Sequence, residues 1–172
     1  MEVLEAIRKR RSIRKYKGDP LPEDTFHRIL EAGRLAPSGK NFQPWKFIVV
    51  RDERIKRQLA EASARQYFIA EAPIIIVACG FPEQSYARLG RYMSSWAVDV
   101  AIALQQMMLQ ATAEGVGTCW IGAFEEQEVK KILQVPEEVR VLGLTPLGYP
   151  AEDPPARPRK PLEQIISYDR YY

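Results

Sequence analysis

The stretch from Ser94 or Ser95 to Glu114 carries Ala97, Val98, Val100, Ala101, Ile102, Ala103, Leu104, Met107, Met108, Leu109 and Ala111, which places apolar groups on nearly every face of one long helix. A helix of that kind has to be covered nearly all round, so the rest of the chain, or a subunit partner, must wrap it. A membrane span competes on length. Asp99, Gln105, Gln106 and Gln110 interrupt it, however, and no second hydrophobic span exists, so no membrane association is expected. At 172 residues the chain is long enough for one domain with a real core and too short for two ordinary ones, so residues 1–172 are read as a single domain.

Other elements assemble around this helix. Val3, Leu4 and Ile7 give a first amphipathic helix that runs into a basic segment, Arg8 to Lys17, and a second follows Pro22 with Phe26, Ile29, Leu30 and Gly33 facing the core. Lys46–Val50 reads as a strand, and Asp52 caps a charged helix through about Ala64. Ile74–Cys79 is a continuous apolar run, as in a strand buried on both faces. Gly115 and Gly117 stop the long helix before a third strand, Thr118–Phe124; a short helix covers Glu125–Leu133. Val139–Leu147 is a fourth strand whose Gly143 and Pro146 predict an edge position or a bulge near its end. Proline-rich residues from Pro150 to Pro161 predict an extended surface segment, and the aromatic tail from Leu162 to Tyr172 needs a surface to dock on.

The chemistry that is missing narrows the function. His27 is the one histidine and has no nucleophile or carboxylate at a telling spacing, which argues against a hydrolytic triad or a histidine metal site. Gly115-Val116-Gly117 follows a helix instead of opening one, the wrong order for a dinucleotide fingerprint, and there is no phosphate loop of the Gly-x-x-x-x-Gly-Lys type. Any enzymatic activity therefore rests on an organic cofactor with its own reactivity. Cys79 and Cys119 lie in apolar runs and read as buried hydrophobes in a reducing compartment. The N-terminus lacks the pattern of a signal peptide, so the expected location is cytoplasmic. A net charge of +3 is too small to define a nucleic-acid surface.

Two polar segments remain. The loop Ala36–Trp45 combines Pro37, Ser38, Gly39, Asn41, Gln43 and Pro44: stiffening prolines, hydrogen-bonding side chains and a glycine that admits close approach, all suited to a flat polar ligand. Arg8–Tyr16 gathers cations and one serine hydroxyl, which suit a phosphate. Taken singly, each also fits a blander reading, an ordinary connecting loop and a solvated helix end.

Four motifs occur in order: Arg10-Arg11-Ser12-Ile13-Arg14, the loop Ala36–Trp45, the segment Gly117–Phe124, and Arg157-Pro158-Arg159-Lys160-Pro161. Their combination resembles the nitroreductase-like flavoproteins over nearly the whole chain. The resemblance implies an α+β fold with a central mixed β-sheet flanked by helices. It also implies an intertwined homodimer whose C-terminal extension reaches onto the partner, with FMN at the subunit interface. Carried over by motif position, Arg10, Ser12 and Arg14 hold the FMN phosphate and ribityl chain, with Arg11 nearby and Arg159, and less firmly Arg157, returning from the C-terminal segment. Pro37, Ser38, Gly39 and Asn41 line the flavin ring, Gln43 and Trp45 brace the loop, and Ile121, Gly122 and Ala123 offer backbone groups near flavin N5. Arg65 and Gln66 lie where the pyrimidine edge could fall.

The activity so implied is an FMN-dependent oxidoreduction in which NADH or NADPH donates hydride and a small electron-poor acceptor, a nitroaromatic or quinone, takes it in a ping-pong cycle. No side chain is assigned the chemistry. Gly122 stands where several relatives carry glutamate, and the region Gly80–Tyr92 is short, which implies an open site. The same fold also serves reductive dehalogenation, enoyl reduction and flavin cleavage. A flavin-binding protein without turnover and a nucleic-acid module built on Arg8–Lys17 are the readings from other classes.

Overall fold

A computed structural model describes residues 1–171; Tyr172, the end of the expected aromatic tail, lies outside the described residues. The elements in chain order are α1 (Val3–Lys9), α2 (Glu23–Arg34), β1 (Trp45–Val50), α3 (Glu53–Ala62), β2 (Ile74–Gly80), α4 (Trp96–Ala113), β3 (Gly117–Thr118), α5 (Glu126–Leu133) and β4 (Arg140–Gly148). Local chemistry sets several boundaries. The Asp52 carboxylate accepts the Ile55 N–H at 2.8 Å, satisfying one of the free donors that open α3. Gly115 at φ 75° turns the chain after α4, a left-handed conformation that costs a glycine little.

The strands form one sheet in the order β1-β2-β4-β3, and every ladder is antiparallel. The expected mixed sheet is realised only through an isolated parallel bridge between Ser12 and Thr118. β2 is buried along its whole length, and its side chains alternate between two cores. Ile74, Ile76 and Ala78 pack with α2 and α4 on one face, while Ile75, Val77 and Cys79 pack with α3 and α5 on the other. This layering explains the continuous apolar run in an antiparallel strand, since helices cover both faces.

β4 departs from expectation. It is an interior strand between β2 and β3, and its irregularity lies near its start, where Val141 and Gly143 face the adjacent residues Cys79 and Ala78. Pro146 is tolerated inside the sheet for a specific reason. Leu144 exchanges both backbone hydrogen bonds with Ile121, so Pro146, two residues on, turns its missing donor to that same side. There the β3 ladder has ended at Thr118, and pairing resumes only at the Ile121–Leu144 bridge. The third strand is thus far shorter than the Thr118–Phe124 read from sequence, and residues beyond Ile121 leave the sheet.

α4 buries Val100, Ala103, Leu104, Met107, Met108 and Ala111 against the sheet and α2, where Gly33 lets Met107 approach so closely that a Cβ would collide with it. Its cover is incomplete within one chain: Val98 and Ile102 stay 40% and 37% exposed, beside Ala97 and Ala101. From Pro150 to Pro161 the chain is extended, a single 3-10 turn follows at Leu162–Gln164, and Leu162, Ile165, Ile166 and Tyr168 are exposed. Cys79 and Cys119 are free thiols and buried. Among the described residues, no helix is long and apolar enough to cross a membrane.

Candidate functional site

The basic segment and the C-terminal segment meet. After α1 the chain runs extended beside β3: Ile13 N–H donates to Thr118 O at 2.9 Å, Lys17 N–H to Tyr149 O at 2.8 Å, and Ala151 N–H to Lys15 O at 2.9 Å. Side chains alternate along such a segment. Ile13 turns inward to a small core with Tyr16 and Ala72, whereas Ser12 and Arg14 line a cavity of about 380 Å³. Arg8, Arg10, Arg11, Arg157 and Arg159 complete its polar wall, so six guanidiniums surround it with no carboxylate among the lining residues.

Those guanidiniums are satisfied only locally. Arg11 Nη1 donates to Arg8 O at 2.6 Å and Arg10 O at 2.9 Å, Arg14 Nη1 to Ser12 O at 3.3 Å, and Arg159 Nη1 to Arg157 O at 3.1 Å. Glu152, an acid close by, accepts the backbone N–H of Arg14 at 2.5 Å. Among the described residues, Arg11 Nε in this wall and Thr118 Oγ1, on the segment that bridges to Ser12, are buried without a partner, a costly state for polar atoms. An anion with several acceptor oxygens suits such a place.

The loop Ala36–Trp45 is built differently. Gly39–Asn41 make one 3-10 turn, and Lys40, Asn41 and Gln43 all hold positive φ, at 50°, 58° and 51°. Three left-handed non-glycine residues within four positions persist only where surrounding bonds fix them, and such strain gathers at functional sites. The fixing bonds are present. Ser38 Oγ accepts the Gln43 N–H at 2.9 Å, Ser38 O accepts the Asn41 N–H at 2.9 Å, and Gln43 Nε2 donates to Asn41 O at 3.1 Å. Pro37 and the Asn41 side chain face solvent. The loop is seated by Asp99, which is 3% exposed and accepts the Gly39 N–H at 3.1 Å and the Ser95 hydroxyl at 2.6 Å.

Residues 121–123 form the third group. Ile121 is buried in the sheet; Gly122 and Ala123 are exposed and share a cavity of about 550 Å³ with Arg65 and Phe124. Gln66 Nε2 donates to Ser63 O at 2.9 Å and Ala123 O at 3.3 Å, so this side chain braces the segment. Thr118 beside Ser12 and Ile121 are three residues apart on an extended run, a span of about 10 Å.

Within one chain these groups do not all converge. α2 lies antiparallel to α4, with Arg28 bonded to Glu114 and Gly39 bonded to Asp99. The loop Ala36–Trp45 therefore sits at the N-terminal end of α4, and the arginine cavity sits beside β3, past its C-terminal end. An 18-residue helix separates them by about 27 Å. Sequence reasoning missed three residues in this arrangement: Asp99, which reads as an interruption of an apolar helix; Ser95, four residues before it; and Thr118. The i,i+4 pairing of a serine with the one acid of an apolar helix was the available signal.

An α+β layering with an arginine-lined cavity and a rigid Pro-Ser-Gly loop has the chemistry to suit an anionic organic ligand. The model of the Nitroreductase family matches residues 7–67 and 61–149, and the chain belongs to that family. It is 33% identical over 195 residues to an NADH dehydrogenase of Thermus thermophilus, covering 96% of this chain and 95% of that protein. Among solved structures, a nitroreductase family protein from Clostridium novyi NT is similar with a TM-score of 0.83 and 40% identity, over 88% of this chain and 87% of that one. The NADPH:FMN oxidoreductase of Vibrio harveyi, solved in complex with NAD+, is similar with a TM-score of 0.87 and 26% identity, over 99% of this chain and 78% of that one.

Proposed function

We propose that the chain is an FMN-dependent NAD(P)H oxidoreductase that works as a homodimer and passes electrons to a small electron-poor acceptor, a nitroaromatic or quinone. The observation that carries this reading is the cavity with six arginines, no lining carboxylate and the buried, partnerless Arg11 Nε in its wall, which fits a phosphate monoester. Arg10, Ser12, Arg14 and Arg159 would hold that phosphate, with Arg11 and Arg157 adding positive field. Gly122 and Ala123 would present backbone groups to the ring, held in place by Gln66.

Pro37, Ser38, Gly39 and Asn41 would orient the other face of the ring, but from a second copy. The length of α4 supports this, because the two half-sites lie at its opposite ends. So does the unpaired apolar face at Val98 and Ile102. Bound FMN would supply reversible two-electron chemistry between the nicotinamide and the acceptor. The protein's own residues bind, orient and shield; none is assigned a proton transfer. One pocket serving donor and acceptor in turn predicts ping-pong kinetics.

The test is direct. Purified protein should carry FMN, elute as a dimer, and lose its visible flavin absorbance under anaerobic NADH or NADPH, with recovery on adding a nitroaromatic. A protein that takes up no FMN, or whose flavin neither donor bleaches, rules the reading out.

A further inference from the structure

Between Ser85 and Ser95 the chain makes a hairpin that carries two guanidiniums and no acid. Its base is tied to the loop Ala36–Trp45 through one carboxylate. Ser95 N–H donates to Tyr86 O at 2.8 Å, Tyr86 N–H donates to Ser95 Oγ at 3.2 Å, and the Ser95 hydroxyl and Gly39 N–H both donate to Asp99. A Cβ on Gly39 would stand 2.8 Å from Tyr86 Cβ, and the Lys40 ammonium lies 5.4 Å from the Tyr86 ring.

The tip is shaped as firmly as the base. Leu89 N–H donates to Met93 O at 2.9 Å, and Gly90 and Arg91 both take left-handed φ, at 57° and 65°. The Tyr92 ring packs on Gly90 so closely that any Cβ there would meet it, yet Tyr92 remains 81% exposed. Arg88 and Arg91 are exposed and, among the described residues, have no ion pair, like the cavity arginines and like Arg54 and Arg57 on α3, which lie away from this loop, whereas Arg28, Arg34, Arg51, Arg65 and Arg140 each face a carboxylate. An ordered turn that holds free cations beside a ligand loop is built for an anion.

We propose that Arg88 and Arg91, with Lys40, bind a phosphate group of the nicotinamide dinucleotide that delivers hydride to this site. The inference rests on the oxidoreductase reading and adds the contact that reading lacks: a grip on the donor outside the flavin pocket. The shared chemistry is a phosphate on guanidinium, and its source is either the pyrophosphate common to both donors or the 2′-phosphate of NADPH.

The test is calorimetric titration of NAD+ and NADP+ into FMN-saturated protein, with FMN content measured first. Wild type is compared with the double variant Arg88→Ala/Arg91→Ala and with the charge-matched control Arg54→Ala/Arg57→Ala on α3. The first double variant should bind about tenfold more weakly, the equivalent of about 1.4 kcal/mol, with FMN content unchanged and the control indistinguishable from wild type. Equal losses for both dinucleotides assign the pyrophosphate, and a loss confined to NADP+ assigns the 2′-phosphate. Unchanged affinity for both, or the same loss in the control, overturns the proposal. Wild-type protein that takes up no FMN instead removes the oxidoreductase reading, an outcome visible before any dinucleotide is added.

Discussion

The backbone N–H of Gly39 donates to the buried carboxylate of Asp99 at 3.1 Å, fastening a strained loop to the first turn of the longest helix. Truncating Asp99 to alanine leaves that N–H and the Ser95 hydroxyl without their acceptor, at a cost of roughly 1–3 kcal/mol. Asp99→Ala should therefore lower unfolding stability by about that amount in urea and weaken FMN binding about tenfold. Asp99→Asn, which keeps one oxygen for Gly39, should fall between. Equal FMN affinity in all three proteins, read by fluorescence quenching, would detach the loop from cofactor binding.

The arginine cavity makes a second expectation quantitative. Arg159→Ala removes a donor whose only partners among the described residues are carbonyls of its own segment, so the change should leave the melting temperature nearly untouched. Its effect belongs to the ligand. FMN dissociation should rise by roughly 10- to 100-fold, in line with about 1.5–3 kcal/mol for a hydrogen bond to a charged group. Higher salt should weaken wild-type FMN binding more steeply than that of the variant.

The Arg140 guanidinium beside Glu126 holds that carboxyl below the usual glutamate range, with the Val141 N–H assisting at 2.9 Å and partial burial opposing. A depressed folded-state value contributes stability that is present above the unfolded value and disappears as pH falls through the folded one. Glu126→Gln should thus cost about 1 kcal/mol near neutral pH. The gap between the two proteins should close below about pH 4. A gap constant from pH 7 to pH 3 would show that charge is not its source.

At Gly33 the packing of α2 on α4 leaves no space for a side chain, since Met107 occupies the position a Cβ would take. Gly33→Ala should destabilise the protein by about 1–3 kcal/mol despite its better helix propensity. Combining it with Met107→Ala should cost less than the sum of the two changes, because each relieves the other. Additive losses in a denaturation series would mean that the contact is not shared.

Burial pushes the Cys79 thiol up to about 11 and raises that of Cys119. A thiol that stays protonated and inaccessible does not react. Both should resist a thiol reagent at pH 8 in the native protein and react together on unfolding.

Much of this architecture was legible in the chain because it is written in short-range chemistry. The apolar run of β2, the cap at Asp52 and the boundaries of α4 follow from periodicity and capping alone. β4 did not yield to the same reasoning. Gly143 and Pro146 point to an edge or a bulge near the end of the strand, but the donor that Pro146 lacks affects only the side facing the gap in β3, and the bulge lies near the start. The site divided in the same way. Arginine clustering around Ser12 was visible as composition, but the bridge from Ser12 to Thr118 and the seat that Asp99 makes for Gly39 join residues 60 or more positions apart. No local pattern records such pairings.

The separation of the two ligand-bearing ends by the full length of α4 has a genetic corollary. On the proposed dimer, each pocket draws its arginines from one copy and its Pro-Ser-Gly loop from the other. A chain disabled at Arg10 and Arg14 and a chain disabled at Asp99 would then complement each other. Every mixed dimer would contain one pocket with both defects and one with none, so co-expression of the two alleles would restore half of the sites in mixed dimers, roughly a quarter of all sites where copies pair at random.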